Sequence, residues 1–273
     1  MYEPFAGSAA LTIAATEKEV ARRYVIADSL NPLMEIWSAI LARPEELARA
    51  YEKLWVEQEH EPRTHFNRVR SEYNDRGEAA RLLYLLARCV KNAPRWNKSG
   101  GFSQSADHRR KGMRPTRMRD QIERCHRLLA DKATGLIGDV FTTTAAAGKA
   151  DLVYLDPPWE GTTCGPDTRY HEGFDRGALE ILLDSLNDRR VAWILSYDGR
   201  HGSKVYGRPL DPALYGQHLE LAAGRSSQAT LSGRSDMTVE SLYLSTSLVE
   251  QVANETAALR VAGPLQELLH NVA

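Results

Sequence analysis

The fold is decided by one stretch, Asp151 to Thr162, which reads DLVYLDPPWEGT. Its apolar run, LVYL, is short, rich in β-forming residues and bounded by breakers, which is typical of a buried strand. The strand must end at Asp156, because Pro157 and Pro158 cannot donate hydrogen bonds to a sheet. In an open α/β sheet, ligands bind at the loop that follows a strand's carboxyl end. The acid and Trp159 at this position therefore predict a functional site rather than a plain surface turn.

The composition is that of a soluble globular protein, with 42% hydrophobic and 26% charged residues in a chain of 273. This length suits one large domain, or a core domain with a smaller one inserted. The three cysteines, Cys89, Cys125 and Cys164, are too widely spaced for a metal site and predict reduced thiols. No apolar run reaches the roughly 20 residues that span a bilayer, and no signal-peptide pattern follows Met1. We therefore expect a cytoplasmic protein without a metal ion or a membrane partner.

Short strands and helices alternate along the rest of the chain. Strand patterns occur at RYVIAD (23–28), GLIGDV (135–140) and VAWILSY (191–197), and helical patterns at 32–41, 44–61, 77–90, 121–129 and 175–187. Near the end, HLELAA (218–223) and VESLYLS (239–245) flank a polar loop, as in an antiparallel hairpin.

This order predicts an α/β fold, a Rossmann-like and mostly parallel sheet with a C-terminal antiparallel hairpin. Residues 42–130 supply helices but no convincing strand. We predict that they form an inserted helical subdomain, and that residues 1–41 and 131–273 form the main domain.

Positive charge is concentrated between Arg95 and Arg127, which hold ten Lys and Arg against three Asp and Glu in a chain of net charge −1. Such a local excess is typical of a nucleic-acid-binding surface. Trp96 and Phe102 are expected to add rings that pack on a sugar or a base. The alternative is a solvated basic loop, but the aperiodic, Gly-rich composition beside a helical region favours binding.

A turn of small residues, EPFAGSAAL (Glu3–Leu11), stands between a strand and a helix start. Gly7 allows a tight turn and a close approach to a ligand, and the helix that follows presents free N–H groups. Asp28 ends the next strand about 20 residues later, the spacing at which an acid reaches a ribose. Asp139 ends a third strand and can accept a hydrogen bond from an adenine amine. Each acid alone is common in caps and turns, but together they favour a nucleoside site.

Taken in order, EPFAGSAAL, the acid in IADSLNP and LDPPW resemble the DNA adenine-N6 methyltransferases of the DNA adenine methylase (D12) type in the α arrangement. The segment PRWNKSGGF resembles the RxNxxGxF segment with which that family contacts DNA, and GRSSQATLSGR with VESLYLS resembles its hairpin. The resemblance extends to about residue 247. It implies a site-specific enzyme that uses S-adenosylmethionine and acts on double-stranded DNA as a monomer, for example as the modification half of a restriction system. It also implies that the inserted helical subdomain, residues 42–130, serves DNA recognition.

The resemblance also implies roles for individual residues. The cofactor would contact Glu3, Pro4, Phe5, Ala6, Gly7, Asp28, Asp139, Val140 and Asp156. The catalytic tetrapeptide would be Asp156, Pro157, Pro158 and Trp159. DNA would contact Arg95, Asn97, Lys98, Phe102, Arg109, Arg110, Lys111, Arg114 and Arg225.

The tetrapeptide suits transfer of a methyl group to the N6 amine of adenine. The Asp156 carboxylate and the Pro157 carbonyl can each accept one N–H bond of the amine, and positioning supplies most of the catalysis. Trp159 can stack on the base after it leaves the duplex. Asp rather than Ser at the first position favours adenine over cytosine N4.

The sequence departs from the family at one place. A strand and a loop with a cofactor-contacting aromatic residue and lysine precede the family's glycine turn, whereas this sequence begins at Met1-Tyr2-Glu3. We expect the missing motif to weaken cofactor binding. Two other functions stay open: an RNA adenosine N6-methyltransferase, and a DNA-binding protein that lost catalysis together with that motif.

Overall fold

The computed structural model describes residues 1–90, 94–159, 174–201, 204–225 and 237–262. By their contacts, the described residues form two compact units, one of residues 1–145 and one of residues 146–159 with 174–262.

The first unit contains a parallel sheet of three strands, β1 (Tyr2–Glu3), β2 (Tyr24–Asp28) and β3 (Ala133–Ile137). Tyr2 pairs with Val25, and Asp28 pairs with Ile137, so β2 lies between β1 and β3. Because parallel strands end at the same edge of a sheet, the turn after β1, Asp28 and the residues after β3 lie along one edge.

Helices complete the first unit: α1 (Ala10–Glu17), α2 (Asn31–Ala42), α3 (Pro44–Glu57), α4 (Pro62–Arg76), α5 (Ala79–Arg88), α6 (Pro115–Leu129) and α7 (Val140–Thr144). Proline stands in the first turn of α2, α3, α4 and α6, where its fixed φ suits a helix start and its missing N–H costs nothing. The helices pack through fully buried side chains such as Tyr51, Phe66, Leu82 and Leu85. Burial of a large apolar side chain of this kind stabilises the fold by about 1.5–3 kcal/mol.

The second unit contains β4 (Leu152–Leu155), α8 (Arg176–Asp188), β5 (Ala192–His201), β6 (Lys204–Tyr206), β7 (Gln217–Arg225), β8 (Met237–Leu244) and α9 (Thr246–Ala262). Strands β4 and β5 are parallel, whereas β5 with β6, β5 with β8 and β7 with β8 are antiparallel. The apolar face of α8 is buried through Leu179, Leu182, Leu183 and Leu186, at helical spacing.

The predicted fold class is confirmed. Parallel strands with helical connections precede a C-terminal antiparallel hairpin, whose strands β7 and β8 match the two predicted segments. The loop between them, residues 226–236, lies outside the described residues. Between 42 and 130 the described residues form helices and two isolated β-bridges but no named strand. The boundaries predicted for a helical subdomain stay a prediction.

Several elements differ from the predictions. Helix α4 was not predicted, because its buried residues, among them Phe66 and Val69, are separated by polar ones and give no clear apolar stripe. Helix α6 begins at Pro115 rather than at Gln121, since its first turns are rich in arginine and bury only Met118. Strand β3 ends at Ile137, and Asp139 caps the next helix instead of ending the strand.

Candidate functional site

The glycine turn lies directly after β1 and is tied to the end of β2. The Ala6 amide donates to the Ala27 carbonyl at 2.9 Å, and the Ala9 amide donates to the Ala6 carbonyl at 2.6 Å. Gly7 has φ +48°, in the left-handed region that favours glycine. A Cβ added there would meet no atom within 4 Å, so the backbone conformation rather than space requires glycine.

Asp28 closes this turn with both of its carboxylate oxygens. Oδ2 accepts a hydrogen bond from the Gly7 amide at 2.9 Å, and Oδ1 accepts one from the Leu30 amide at 2.8 Å. The side chain is half-exposed. An ionised carboxylate has about four acceptor sites, so Asp28 keeps sites for the hydroxyl groups of a ligand.

Trp37 holds the other side of the same turn. Its indole Nε1 donates to the Gly7 carbonyl at 3.0 Å, and the ring is buried. The sequence predicted a helix over 32–41 but gave Trp37 no role in this turn. The contact joins residues 30 positions apart, and no local signal indicates it.

Glu3 accepts a hydrogen bond from the start of the helix that follows the turn. Its side chain is only 4% exposed, and its Oε2 accepts a hydrogen bond from the Thr12 amide at 2.8 Å, in the first turn of α1. The carboxylate thus caps a helix whose N-cap residue, Ala9, has no side-chain oxygen. A direct contact of Glu3 with the cofactor stays a prediction.

Burial raises the pKa of Glu3, against the smaller effect of its hydrogen bonds to Thr12 and Leu11. The pKa of Glu3 is therefore higher in the folded state than in the unfolded state. The contribution of Glu3 to the free energy of unfolding is complete below the unfolded-state pKa and is lost as the pH rises through the folded-state pKa.

We expect Glu3→Gln, which keeps an acceptor for Thr12, to gain stability over the parent as the pH rises from about 4 to about 7. Thermal unfolding at several pH values measures this. The matched control is Glu35→Gln, at an exposed acid of α2. A stability difference between Glu3→Gln and the parent that does not change with pH would contradict the expectation.

Asp139 caps α7 at the same edge of the sheet. Its Oδ1 accepts from the Phe141 and Thr142 amides at 2.9 and 3.0 Å, and its Oδ2 accepts from the Thr142 hydroxyl at 2.7 Å. These bonds lower the pKa of the Asp139 carboxyl and keep it ionised, and the bond from the Thr142 hydroxyl has the largest effect. Around it, Leu136, Ile137 and Phe141 are exposed by 40%, 62% and 41%. Exposed apolar side chains beside an ionised acceptor suit a flat aromatic ring that carries an amine.

The structure thus brings together three of the predicted cofactor residues, Gly7, Asp28 and Asp139, through the parallel pairing of β1, β2 and β3. The remaining predicted contacts differ in exposure. Phe5 is half-exposed, whereas Pro4, Ala6 and Val140 are buried. Their roles stay predictions.

In the second unit, Asp156 follows β4 as predicted. Its side chain is exposed, Pro157 is buried, and Pro158 and Trp159 are half-buried. Neither proline has an amide hydrogen, so the backbone of the turn offers carbonyl acceptors and no donors at these two positions. This arrangement suits a ligand that donates hydrogen bonds.

Trp159 packs beside an irregular part of β5 that the sequence did not indicate. Its ring centroid lies 6.5 Å from that of Tyr206.

Strand β5 is irregular where it pairs with β8, because the pairing shifts register between Ser196 and Gly199. In this irregularity, Asp198 has φ +54° and accepts a hydrogen bond from the Tyr243 hydroxyl at 2.6 Å. Burial first, and this bond second, raise the pKa of Tyr243, which keeps the hydroxyl a donor.

Gly199 provides the space into which the indole fits. It has φ +154°, and an added Cβ would lie 2.5 Å from the Val239 carbonyl oxygen and 3.1 Å from the Trp159 ring. We expect Gly199→Ala to destabilise the protein by about 1–3 kcal/mol, the usual cost of overpacking. Thermal unfolding measures it against Gly148→Ala, whose added methyl meets nothing within 4 Å. Equal unfolding temperatures for the two variants would show that Gly199 is not required.

The predicted DNA-contacting segment forms a tight turn. Trp96 and Phe102 make an isolated antiparallel bridge, and the Asn97 side chain accepts hydrogen bonds from the Ser99 and Gly101 amides at 3.0 and 2.8 Å. Arg95, Asn97 and Lys98 are exposed. Asn97 therefore shapes the turn that presents Lys98.

The expectation that Trp96 and Phe102 offer open ring surfaces to DNA is wrong. Their side chains are 2% and 1% exposed, and the rings pack edge-to-face at 5.6 Å in the core of the unit. Tyr73 contacts both rings. The apolar positions of an otherwise polar segment are used to anchor it, which the sequence alone does not distinguish from exposed aromatic residues. The predicted DNA contact of Phe102 has no exposed surface to support it in this structure.

A basic loop, defined as residues 107–114, follows this turn. Its cations Arg109, Arg110, Lys111 and Arg114 are exposed. The Asp107 carboxylate accepts from the Arg109 amide at 2.9 Å and pairs with Arg110 at 2.8 Å, which lowers the pKa of its carboxyl. Strand β7 includes Arg225, but its side chain lies outside the described part of the chain.

Other site classes find no support in the described residues. Within them, no three His, Cys, Asp or Glu side chains come together as metal ligands, and no helix has the length and apolar character needed to cross a membrane. Burial raises the pKa of the Cys89 thiol to about 11 and also raises that of Cys125, so both are protonated at neutral pH. Cys164 lies outside the described residues.

Two comparisons with known proteins find related sequences. The family model described as D12 class N6 adenine-specific DNA methyltransferase matches residues 1–255. The retron Ec67 DNA adenine methylase of Escherichia coli is 30% identical over 192 residues. The aligned region covers 67% of this chain and 63% of that relative, so the chain spans less than two thirds of the relative's length.

Proposed function

Since this chain belongs to the family of D12 class N6 adenine-specific DNA methyltransferases, we propose that it transfers a methyl group from S-adenosylmethionine to N6 of an adenine flipped out of duplex DNA. The observation that carries the proposal is the end of β4, where an exposed acid, Asp156, precedes two prolines without amide donors. The target amine donates two N–H bonds, and this turn offers acceptors.

The cofactor site proposed here is the edge of the first unit's sheet. Asp28 keeps acceptor sites for two ribose hydroxyls while it holds the Gly7 amide. Asp139, with exposed Ile137 and Phe141 around it, suits an adenine ring and its amine. These residues fit the adenosine half of S-adenosylmethionine, which supplies an electrophilic methyl group when bound.

The residues after β4 supply the rest of the chemistry. The N6 lone pair of adenine is delocalised into the ring, and two acceptors, the Asp156 carboxylate and the Pro157 carbonyl, draw its hydrogens toward a tetrahedral arrangement. As the N–C bond forms, the bond between the methyl group and sulfur breaks, and its electron pair stays on the sulfur, which leaves as a neutral thioether. The nitrogen then releases a proton, for which Asp156 is the one basic side chain of the tetrapeptide. Trp159 stacks on the flipped base and offsets part of the few kcal/mol that unstacking costs.

The proposed DNA surface consists of the turn at residues 95–102 and the basic loop. Its cations project from the surface, whereas its rings are buried. Contacts of this kind neutralise phosphates, so we expect affinity to fall steeply as salt rises. A cytoplasmic location and a monomeric state stay predictions.

Two measurements test the proposal. Calorimetric titration with S-adenosylmethionine reports cofactor binding, and sequencing of DNA from a methylation-free host that expresses the chain reports N6-methyladenine and its sequence context. Cofactor binding with methylated adenine in DNA supports the proposed enzyme. Duplex binding without cofactor binding supports the reading as a DNA-binding protein that lacks catalysis, and methylation of RNA alone supports the RNA enzyme.

A further inference from the structure

The basic loop is attached to the helices behind it by its backbone, which leaves its cationic side chains outside. The Asp107 amide donates to the Arg88 carbonyl at 2.9 Å, and the Arg88 guanidinium donates back to the Asp107 carbonyl. Further along, Gln58 Nε2 donates to the Lys111 carbonyl at 3.0 Å, and the Tyr51 hydroxyl donates to the Met113 carbonyl at 2.6 Å. Three loop carbonyls thus accept hydrogen bonds from side chains outside the loop, those of Tyr51 in α3, Gln58 directly after α3, and Arg88 in α5.

These anchoring side chains form one buried network. Gln58 is 0% exposed, and its Oε1 accepts from Arg88 Nε at 2.9 Å and from the Tyr84 hydroxyl at 3.1 Å. Arg88 is 3% exposed, and no described carboxylate pairs with it. A buried guanidinium without an acid partner is costly. Among the described residues its side-chain acceptors are neutral, the Gln58 amide oxygen and the Asp107 carbonyl of the loop.

Gly112 shows how closely the loop follows this surface. It has φ +81°, and a Cβ added to it would lie 3.2 Å from the Ala87 carbonyl oxygen. The loop backbone therefore packs against the end of α5, with its hydrogen bonds on either side of Gly112.

We propose that Gln58 and Arg88 are positioning residues which, with Tyr51, hold the basic loop in the shape that contacts DNA phosphates. This inference rests on the proposed function. The geometry supports it because the network binds loop carbonyls and no loop side chain, so Arg109, Lys111 and Arg114 stay exposed for a polyanion. A loop ordered before binding loses less conformational entropy when DNA binds.

Gln58→Glu is the sharpest test of the network. The new carboxylate still accepts from Arg88 and Tyr84 and neutralises the buried cation, which keeps the helices together. It loses the donor to Lys111 and places an oxygen against that carbonyl. Tyr51→Phe is the second variant and removes only the bond to Met113. Its matched control is Tyr24→Phe, which removes a buried hydroxyl that donates to the Ala15 carbonyl in the same unit, away from the loop.

The experiment measures the Kd of the full chain for a fluorescent duplex at several salt concentrations, below the unfolding temperature of every variant. We expect Gln58→Glu to raise Kd about tenfold and to reduce the salt slope by about 1, the contribution of one phosphate contact. Tyr51→Phe should act in the same direction, and Tyr24→Phe should leave Kd unchanged.

A double-mutant cycle separates positioning from general stability. Lys111→Ala should raise Kd by about tenfold in the parent and by about threefold or less in the Gln58→Glu background, because a displaced loop no longer uses that cation. If the parent binds DNA, additive effects of Lys111→Ala and Gln58→Glu on Kd would overturn the inference. A Tyr24→Phe variant that raises Kd as much as Tyr51→Phe does would overturn it as well. A parent that binds no duplex overturns the proposed function itself.

Discussion

Asp156→Ala is expected to lower the rate of methyl transfer by about 10³-fold, with little change in the Kd for duplex DNA. Loss of one preorganised hydrogen-bonding group at a reacting centre typically costs about 10²–10³-fold, and Asp156 is also the proposed proton acceptor. The side chain is exposed and follows the last residue of β4, so its removal leaves no cavity. Single-turnover transfer of a labelled methyl group to DNA measures the loss.

The matched control for Asp156 lies at the other end of the same strand. Asp151 accepts a hydrogen bond from the Gly148 amide at 3.0 Å in the turn that enters β4. Asp151→Ala should cost stability of about 1 kcal/mol and leave the rate of transfer unchanged. Transfer by Asp156→Ala at the rate of this control would contradict the catalytic assignment.

Asp28→Ala is expected to weaken cofactor binding by about 10²-fold, which corresponds to about 2.7 kcal/mol. The variant removes the proposed ribose acceptor and at the same time releases the Gly7 and Leu30 amides that define the turn. Hydrogen bonds to a charged group contribute about 1.5–3 kcal/mol, so the unfolding temperature should fall as well. Calorimetric titration with S-adenosylmethionine, at a temperature where the variant is folded, measures the affinity.

The control for Asp28 is Asp75→Ala, which removes an acid from the surface of the same unit, where its ion pair among the described residues is with Arg76 at 3.5 Å. This variant should bind the cofactor like the parent, since exposed ion pairs contribute little. If Asp28→Ala bound with parental affinity too, the proposed cofactor edge would be wrong, although the family would stand.

Local patterns were sufficient for the fold class and for the acids at the strand ends. Asp28 and Asp156 end apolar runs followed by breakers, and the structure has strands ending at Asp28 and directly before Asp156. The same reasoning placed Asp139 near a strand end, and the structure makes it the cap of α7. Such signals work because a strand and its terminator are adjacent in sequence.

The roles of individual side chains were predicted less well from the sequence, because they depend on burial. Glu3 caps α1, a role that the sequence did not indicate, and Phe102, whose ring was predicted to pack on DNA, is buried in the core. The sequence of a turn does not show whether its acidic or aromatic side chain faces solvent or packs against a helix. Only the packing of the unit separates these cases.

The α/β class, the glycine turn, the acids near the strand ends and the basic segment could be predicted from local sequence, because each of them is encoded within a few neighbouring residues. The groups that hold these parts in place could be identified only from the folded chain. Trp37 reaches Gly7 across 30 residues, and Gln58 reaches Lys111 across 53. The physical reason is that a buried polar group must find a partner wherever the fold brings one, and that partner stands far away in the chain.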